Sequence, residues 1–248
     1  NDKTVAAYTA ILREELLLAT GCTEPIAVAY CAAKLREVLG GKPEEVLAEV
    51  SGNILKNVKS VVVPNTDGRR GIDAAIAVGI VAGDADAELQ VIANVTENDA
   101  AAIQGYLDAT SIKVTCPETP CLLDIFLHGK REGHTAAVRV ANNHTNIIYI
   151  EKDGEVLLEK PVTANAEDNL QDKSVLNVKD ILTFVETVPL SAIEPIIGRQ
   201  IACNTAIAEE GLKNSWGANI GSTLLQRSDD METQARAWAA AGSDARMN

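Results

Sequence analysis

Between residues 111 and 158 five short apolar runs follow one another with no helical stretch between them: 111–115, 122–128, 135–141, 146–151 and 156–158. Asp153-Gly154 suits a tight turn into the last of these. Strands that succeed each other without a crossover helix pair antiparallel, because a parallel neighbour needs a long return connection. Helical patterns lie on both sides of this block. The expected fold is therefore α+β, helical layers packed with an antiparallel β-sheet.

The helices are read from the 3.6-residue period. Over 2–19, Val5, Tyr8, Leu12 and Leu16 share one face. A second helix is predicted over 25–39, opened by Pro25 in its first turn and stopped by Gly40-Gly41. Strands are predicted at 45–51 and 59–63, the latter closed by Pro64, with turn chemistry at 65–68. A buried helix is expected over 72–81. Thr96 with Asp99 marks a start for a helix reaching about residue 107. Beyond 178 the chain is helical again, with Asn177 as cap and a capping-box pattern at Ser191 and Glu194. Aromatic residues are only 3%, so the core must be built from Ala, Val, Ile and Leu, which favours close helix packing.

The net charge of -13 and the lack of a basic stripe interleaved with aromatics exclude nucleic acid as an expected partner. The most apolar run, 74–83, is half the length a bilayer requires, and the N-terminal apolar residues are interrupted by Arg13, Glu14 and Glu15, so neither a membrane span nor a leader is predicted and the expected location is cytoplasmic. Five cysteines, an odd number in a chain this long, read as reduced thiols. No C-x-x-C occurs, and His128, His134 and His144 lack zinc-ligand spacing, so no metal site is assigned and the histidines are read as structural. The polar stretch 164–172 is the expected internal boundary. The helical run 235–241 ends near Met247-Asn248 without a closing element, which predicts a chain truncated at its C-terminus.

Thr20-Gly21-Cys22-Thr23-Glu24-Pro25 places a cysteine where a helix begins. Unpaired N–H groups and the helix dipole favour a thiolate there, able to act as base, nucleophile or ligand. Glu24 opposes that, and the alternative is a small residue packed in a tight turn. Ser51-Gly52-Asn53-Ile54-Leu55-Lys56-Asn57 offers a glycine for close approach, amides with donors and acceptors, and a lysine able to hold a carboxylate. Its plain reading is a capped turn with a solvated lysine. Pro64-Asn65-Thr66 with Arg69-Arg70 either holds an anion or is a surface loop. Cys116 and Cys121 flank a proline-rigid turn without the further cysteines a cluster needs, and Cys31 and Cys203 are expected in the core.

Together the segments 21–27 (Gly-Cys-Thr-Glu-Pro-Ile-Ala), 51–57, 63–66 (Val-Pro-Asn-Thr) and 204–211 (Asn-Thr-Ala-Ile-Ala-Glu-Glu-Gly) resemble the L-cysteine desulfidase family, which is related to the α-chain of iron–sulfur L-serine dehydratases and has many bacterial members of uncharacterised activity. The resemblance spans essentially residues 1–248, as the N-terminal part of such a protein. It implies a carbon–sulfur lyase that converts L-cysteine to pyruvate, ammonia and hydrogen sulfide with a 4Fe-4S cluster. It assigns Cys22 as proton acceptor and makes Asn53, Lys56, Asn57, Asn65 and Thr66 candidate substrate contacts. The family's cluster cysteines lie beyond residue 248, so the cluster is expected for the intact protein, and this chain alone is expected to bind none and to be inactive. The partner is then a small amino acid, with a homo-oligomer also allowed. L-Serine as substrate of the same mechanism, and a non-enzymatic binding or redox-responsive protein using Cys22, are the alternatives.

Overall fold

The computed structural model describes residues 2–162, 171–227 and 230–246. They form two compact units, one of residues 19–162 and one of residues 2–18 with 171–246. Residues 164–170 of the expected boundary lie outside the described residues, and the chain on either side of them belongs to different units.

In the first unit α2 (Thr23–Leu39) leads to β1 (Glu45–Val50), and α3 (Gly52–Val58), α4 (Gly71–Ala82) and α5 (Ala100–Ala109) then carry the chain to β2 (Ser111–Thr115). Four strands follow, β3 (Asp124–Arg131), β4 (His134–Ala141), β5 (Ile147–Lys152) and β6 (Glu155–Glu159). The sheet order is β2-β1-β3-β4-β5-β6. The fold is α+β as expected, but the sheet is mixed: β1 and β2 run parallel, and every other pair is antiparallel. The connection through α3, α4 and α5 supplies the long return that a parallel pair demands. Consecutive strand runs were a sound guide from β3 onward and not for β2, which pairs with a strand some sixty residues earlier.

α2 is buried along nearly its whole length, lying on β3 and β4 with α4 packed against it. Alanines and glycine let the two helices approach closely, and a Cβ placed on Gly79 would stand 2.2 Å from the Ala29 carbonyl oxygen. Gly40, at φ 79, closes α2 in the left-handed conformation that glycine adopts without a Cβ penalty. The capping box read from Thr96 and Asp99 is formed, ahead of α5.

Two expectations in this unit are corrected. Residues 59–63 form no strand; a single bridge, Val62 to Arg70, closes the loop instead, and Pro64 removes the donor that a ladder there would need. Residues 51–57 are not a simple turn. Ser51 caps α3, its hydroxyl accepting from the Ile54 N–H at 3.4 Å and donating to the Leu122 carbonyl at 2.6 Å. Ser51→Ala is expected to cost about 1–2 kcal/mol by losing the cap and the hydrogen bond to the Leu122 carbonyl, measured by denaturant unfolding.

The second unit is helical: α1 (Asp2–Glu15), α6 (Val178–Thr187), α7 (Leu190–Lys213), α8 (Ile220–Leu225) and α9 (Met231–Arg246). The rings of Tyr8 and Phe184 pack in a tilted pair with centres 5.4 Å apart, and Asn177 caps α6. The capping box expected at Ser191 and Glu194 does not form, because α7 already begins at Leu190, preceded by Pro189. Cys203 is half-buried, not a core thiol. The 204–211 segment lies within α7, and its last residue has a packing role: a Cβ on Gly211 would stand 2.1 Å from the Ala241 carbonyl oxygen of α9. Among the described residues no single helix is long and apolar enough to cross a membrane.

Candidate functional site

The register of the sheet decides where chemistry can collect. Val50 pairs with Ile125, Asp124 with Ala141, and Glu49 with Thr115, so the end of β1, the start of β3, the ends of β4 and β2, and the start of β5 share one edge. The segments leaving that edge are α3, the 116–123 connection and the 142–146 turn.

Cys22 is the residue preceding the first turn of α2, with extended backbone. Its thiol donates to Glu24 Oε2 at 3.2 Å. Glu24 Oε1 accepts from Asn57 Nδ2 at 3.3 Å, and the same amide reaches Asn53 Oδ1 at 3.5 Å. Asn53 and Asn57 share a face of α3 because they are four residues apart. Burial pushes the Glu24 carboxyl up, but hydrogen bonds from Cys22, its own backbone N–H and Thr23, together with nearby His144, outweigh it and hold Glu24 below the usual carboxylate range. The carboxylate that the sequence set against a helix-end thiolate is in place beside Cys22. The positive end of α2 is occupied by the carboxylate of Glu24, and Cys22 faces that anion as a hydrogen-bond donor. Glu24→Gln removes the charge that opposes thiolate formation, a term of about 1 kcal/mol even at the dielectric of bulk water, so iodoacetamide should modify Cys22 at least several-fold faster at pH 7 in the variant. An unchanged rate would show that the pair is not coupled.

Sequence reasoning placed Asn53, Asn57 and Cys22 in one site, and they are joined through Glu24. Lys56 sits on α3 but is exposed and has no ion-pair partner among the described residues. Asn65 and Thr66 serve their own loop. Asn65 donates to the Ile92 carbonyl at 2.9 Å, and Thr66, wholly buried, donates to Val63 O at 2.7 Å, which leaves its hydroxyl no surface for substrate. Arg69 binds Gln104 and the Thr66 carbonyl, and Arg70 the Ser60 carbonyl, so both close the loop.

An open cleft of about 490 Å³ adjoins this network through Asn53, and Cys116, Thr119 and Cys121 form its opposite wall. Cys121 is buried, and burial, followed by Asp124, pushes its thiol up despite Arg139 and Thr119. The wall is fixed by Asp124, which accepts from Arg139 Nε at 2.8 Å and Nη2 at 2.6 Å and from the Thr119 hydroxyl.

The residue that sequence reasoning missed is His144. His128 and His134 have carboxylate partners, Glu49 at 3.0 Å and Asp153 at 2.9 Å, as a structural reading requires. His144, in the turn after β4, has none: its Nε2 is buried without a hydrogen-bond partner. Burial pulls its imidazole below the ordinary histidine range, and the charge of Glu24 only partly restores it. No spacing signal could have found it, since its neighbour Glu24 is 120 positions away in sequence.

With this geometry established, the chain's relatives can be compared. It is 45% identical over 247 residues to a protein of Treponema denticola, covering 97% of this chain and 57% of that one. It is 44% identical over 248 residues to a protein of Desulfitobacterium hafniense, covering 100% and 58%, and 46% identical over 239 residues to one of Lachnoclostridium phytofermentans, covering 96% and 57%. All three are named UPF0597 proteins. That name states neither a substrate nor a reaction. The chain spans less than three fifths of the length of these UPF0597 relatives. No family profile matches it, and no solved structure does.

Proposed function

We propose that the chain is the amino-acid-binding and proton-transferring part of a cytoplasmic lyase that eliminates the β-substituent of L-cysteine, giving pyruvate, ammonia and hydrogen sulfide, as the resemblance to the L-cysteine desulfidase family implies. The observation that supports this reading most is the joined set Cys22, Glu24, Asn57 and Asn53 at one sheet edge. An elimination needs a group that takes the α-proton, and Cys22 with Glu24 supplies a thiol and a neighbouring carboxylate able to pass a proton between them. Asn53 and Asn57 orient the carboxylate. L-Serine remains the alternative substrate, because proton removal from the α-carbon is the same for both.

A 4Fe-4S cluster is part of the family's chemistry, and the residues described here do not fit one: no three His, Cys, Asp or Glu side chains among them converge as ligands. No step is assigned to it on this chain. The test is pyruvate release from L-cysteine and from L-serine by a longer relative such as the Treponema denticola protein, reconstituted with iron in the absence of oxygen. Release from one of them is expected and names the leaving group. Release from neither overturns the lyase reading.

A further inference from the structure

The turn between β4 and β5 carries two anomalies that the elimination reading leaves unused. Asn142 Nδ2 and His144 Nε2 are both buried and both without a hydrogen-bond partner. A buried polar group without a partner is costly, and two of them on one five-residue turn are a sign of a missing acceptor. Asn142 is held in place: its backbone, at φ 69, is left-handed, and its N–H donates to the Leu123 carbonyl at 3.0 Å. The turn leaves the same end of the sheet as α3, whose Asn57 donates to Glu24 at 3.3 Å, and the charges of His144 and Glu24 act on one another. Glu24 in turn is an ionised carboxylate that accepts only from neutral groups, Cys22, Thr23, Asn57 and its own N–H, with no Lys or Arg among its hydrogen-bond partners.

A site with one uncompensated carboxylate and two uncommitted neutral donors is complementary to a molecule that carries an ammonium beside a carboxylate. We infer that Asn142 and His144 bind the carboxylate of a small zwitterionic amino acid whose ammonium is taken by Glu24. In the tautomer that carries its proton on Nε2, a neutral His144 would donate to that carboxylate without forming an ion pair with Glu24 that would compete with the ammonium. The inference rests on the amino-acid reading above; it adds Asn142 and His144 as residues that recognise the molecule and gives Glu24 a recognition role beside the proton-passing one proposed there.

The test uses the 248-residue chain and the imidazole C–H resonances of its three histidines, with that of His144 assigned by its loss in His144→Gln. L-Serine is titrated against L-serinamide, which keeps the ammonium and lacks the carboxylate. The His144 resonance is expected to shift with L-serine and stay in place with L-serinamide, and Asn142→Ala should weaken the L-serine response at least fivefold while the variant retains its folded spectrum. Equal response to both compounds, no response to L-serine, or an Asn142→Ala titration identical to the parent overturns the inference. Should Asn142→Ala fail to fold, Asn142→Asp, which removes the donor and keeps the shape, takes its place with the same expectations. If the binding pattern is found and pyruvate release is not, elimination fails while this site stands; the reverse result sinks the site and leaves elimination.

Discussion

Gly79→Ala is expected to destabilise the sheet-containing unit by about 3 kcal/mol or more, lowering its thermal midpoint by roughly 10 °C for a unit of this size. The added methyl would meet the Ala29 carbonyl oxygen at 2.2 Å, with the carbonyl carbon and Cα of Ala29 at 2.9 Å. These are backbone atoms in the middle of α2, which is itself wedged against β3 and β4, so the contact cannot be relieved by a rotamer change. α4 must move away from α2, and the dispersion contacts along both helices weaken together. Gly105→Ala provides the control. It lies inside α5 with nothing within 4 Å of the added Cβ, so the better helix propensity of alanine should stabilise by about 0.5–1 kcal/mol. Thermal unfolding followed by circular dichroism distinguishes the two; a Gly79→Ala midpoint within 2 °C of the parent would show that the helices are not in close contact.

Arg139→Met is expected to cost about 3–5 kcal/mol, because it leaves the Asp124 carboxylate, 5% exposed, without its bidentate partner. Methionine retains much of the side-chain volume, which separates loss of charge from loss of packing, although the cation lying 5.3 Å from the Phe126 ring centre is lost too. Removing both charges tests the cause: Asp124→Asn together with Arg139→Met should recover a large part of the loss, since no uncompensated ion remains buried. Failure of the double variant to recover would assign the cost to packing of Arg139 alone. The measurement is denaturant unfolding of the parent, both single variants and the double. Because Asp124 also receives the Thr119 hydroxyl, the single variant should in addition expose Cys121 to thiol reagents.

Much of the fold was legible in the sequence because it rests on local signals. The apolar period of 25–39 and 72–81, the Thr96 and Asp99 start and the Asn177 cap each report a preference of a few neighbouring residues, and each is present. The errors arise where long-range contacts decide. Val61, Val62 and Val63 read as a strand, yet among the described residues no partner strand lies alongside them, and Pro64 ends the run. Residues 52–58 form a helix whose cap, Ser51, is also tied to Leu122, a contact across 71 positions. The parallel placement of β2 depends on the long connection through three intervening helices, which no local pattern in 111–115 announces. In the site, Cys22 and the two asparagines were visible as motif residues, and so was the opposition of Glu24 to a charged Cys22, since its carboxylate lies 3.2 Å from that thiol. Asn65 and Thr66 share the motif character of Asn53 and Asn57 but spend their polar groups on backbone carbonyls.

The sheet edge where α3, the 116–123 connection and the 142–146 turn converge has a consequence for how such a protein can change over time. The close packing of Gly79 on Ala29 lies within helices, while the 116–123 and 142–146 segments at that edge are short connections that the strand register brings together. Substitutions in those connections can therefore redraw what the site accepts without disturbing the helix contact, so new specificities are open to a lineage that keeps the same scaffold.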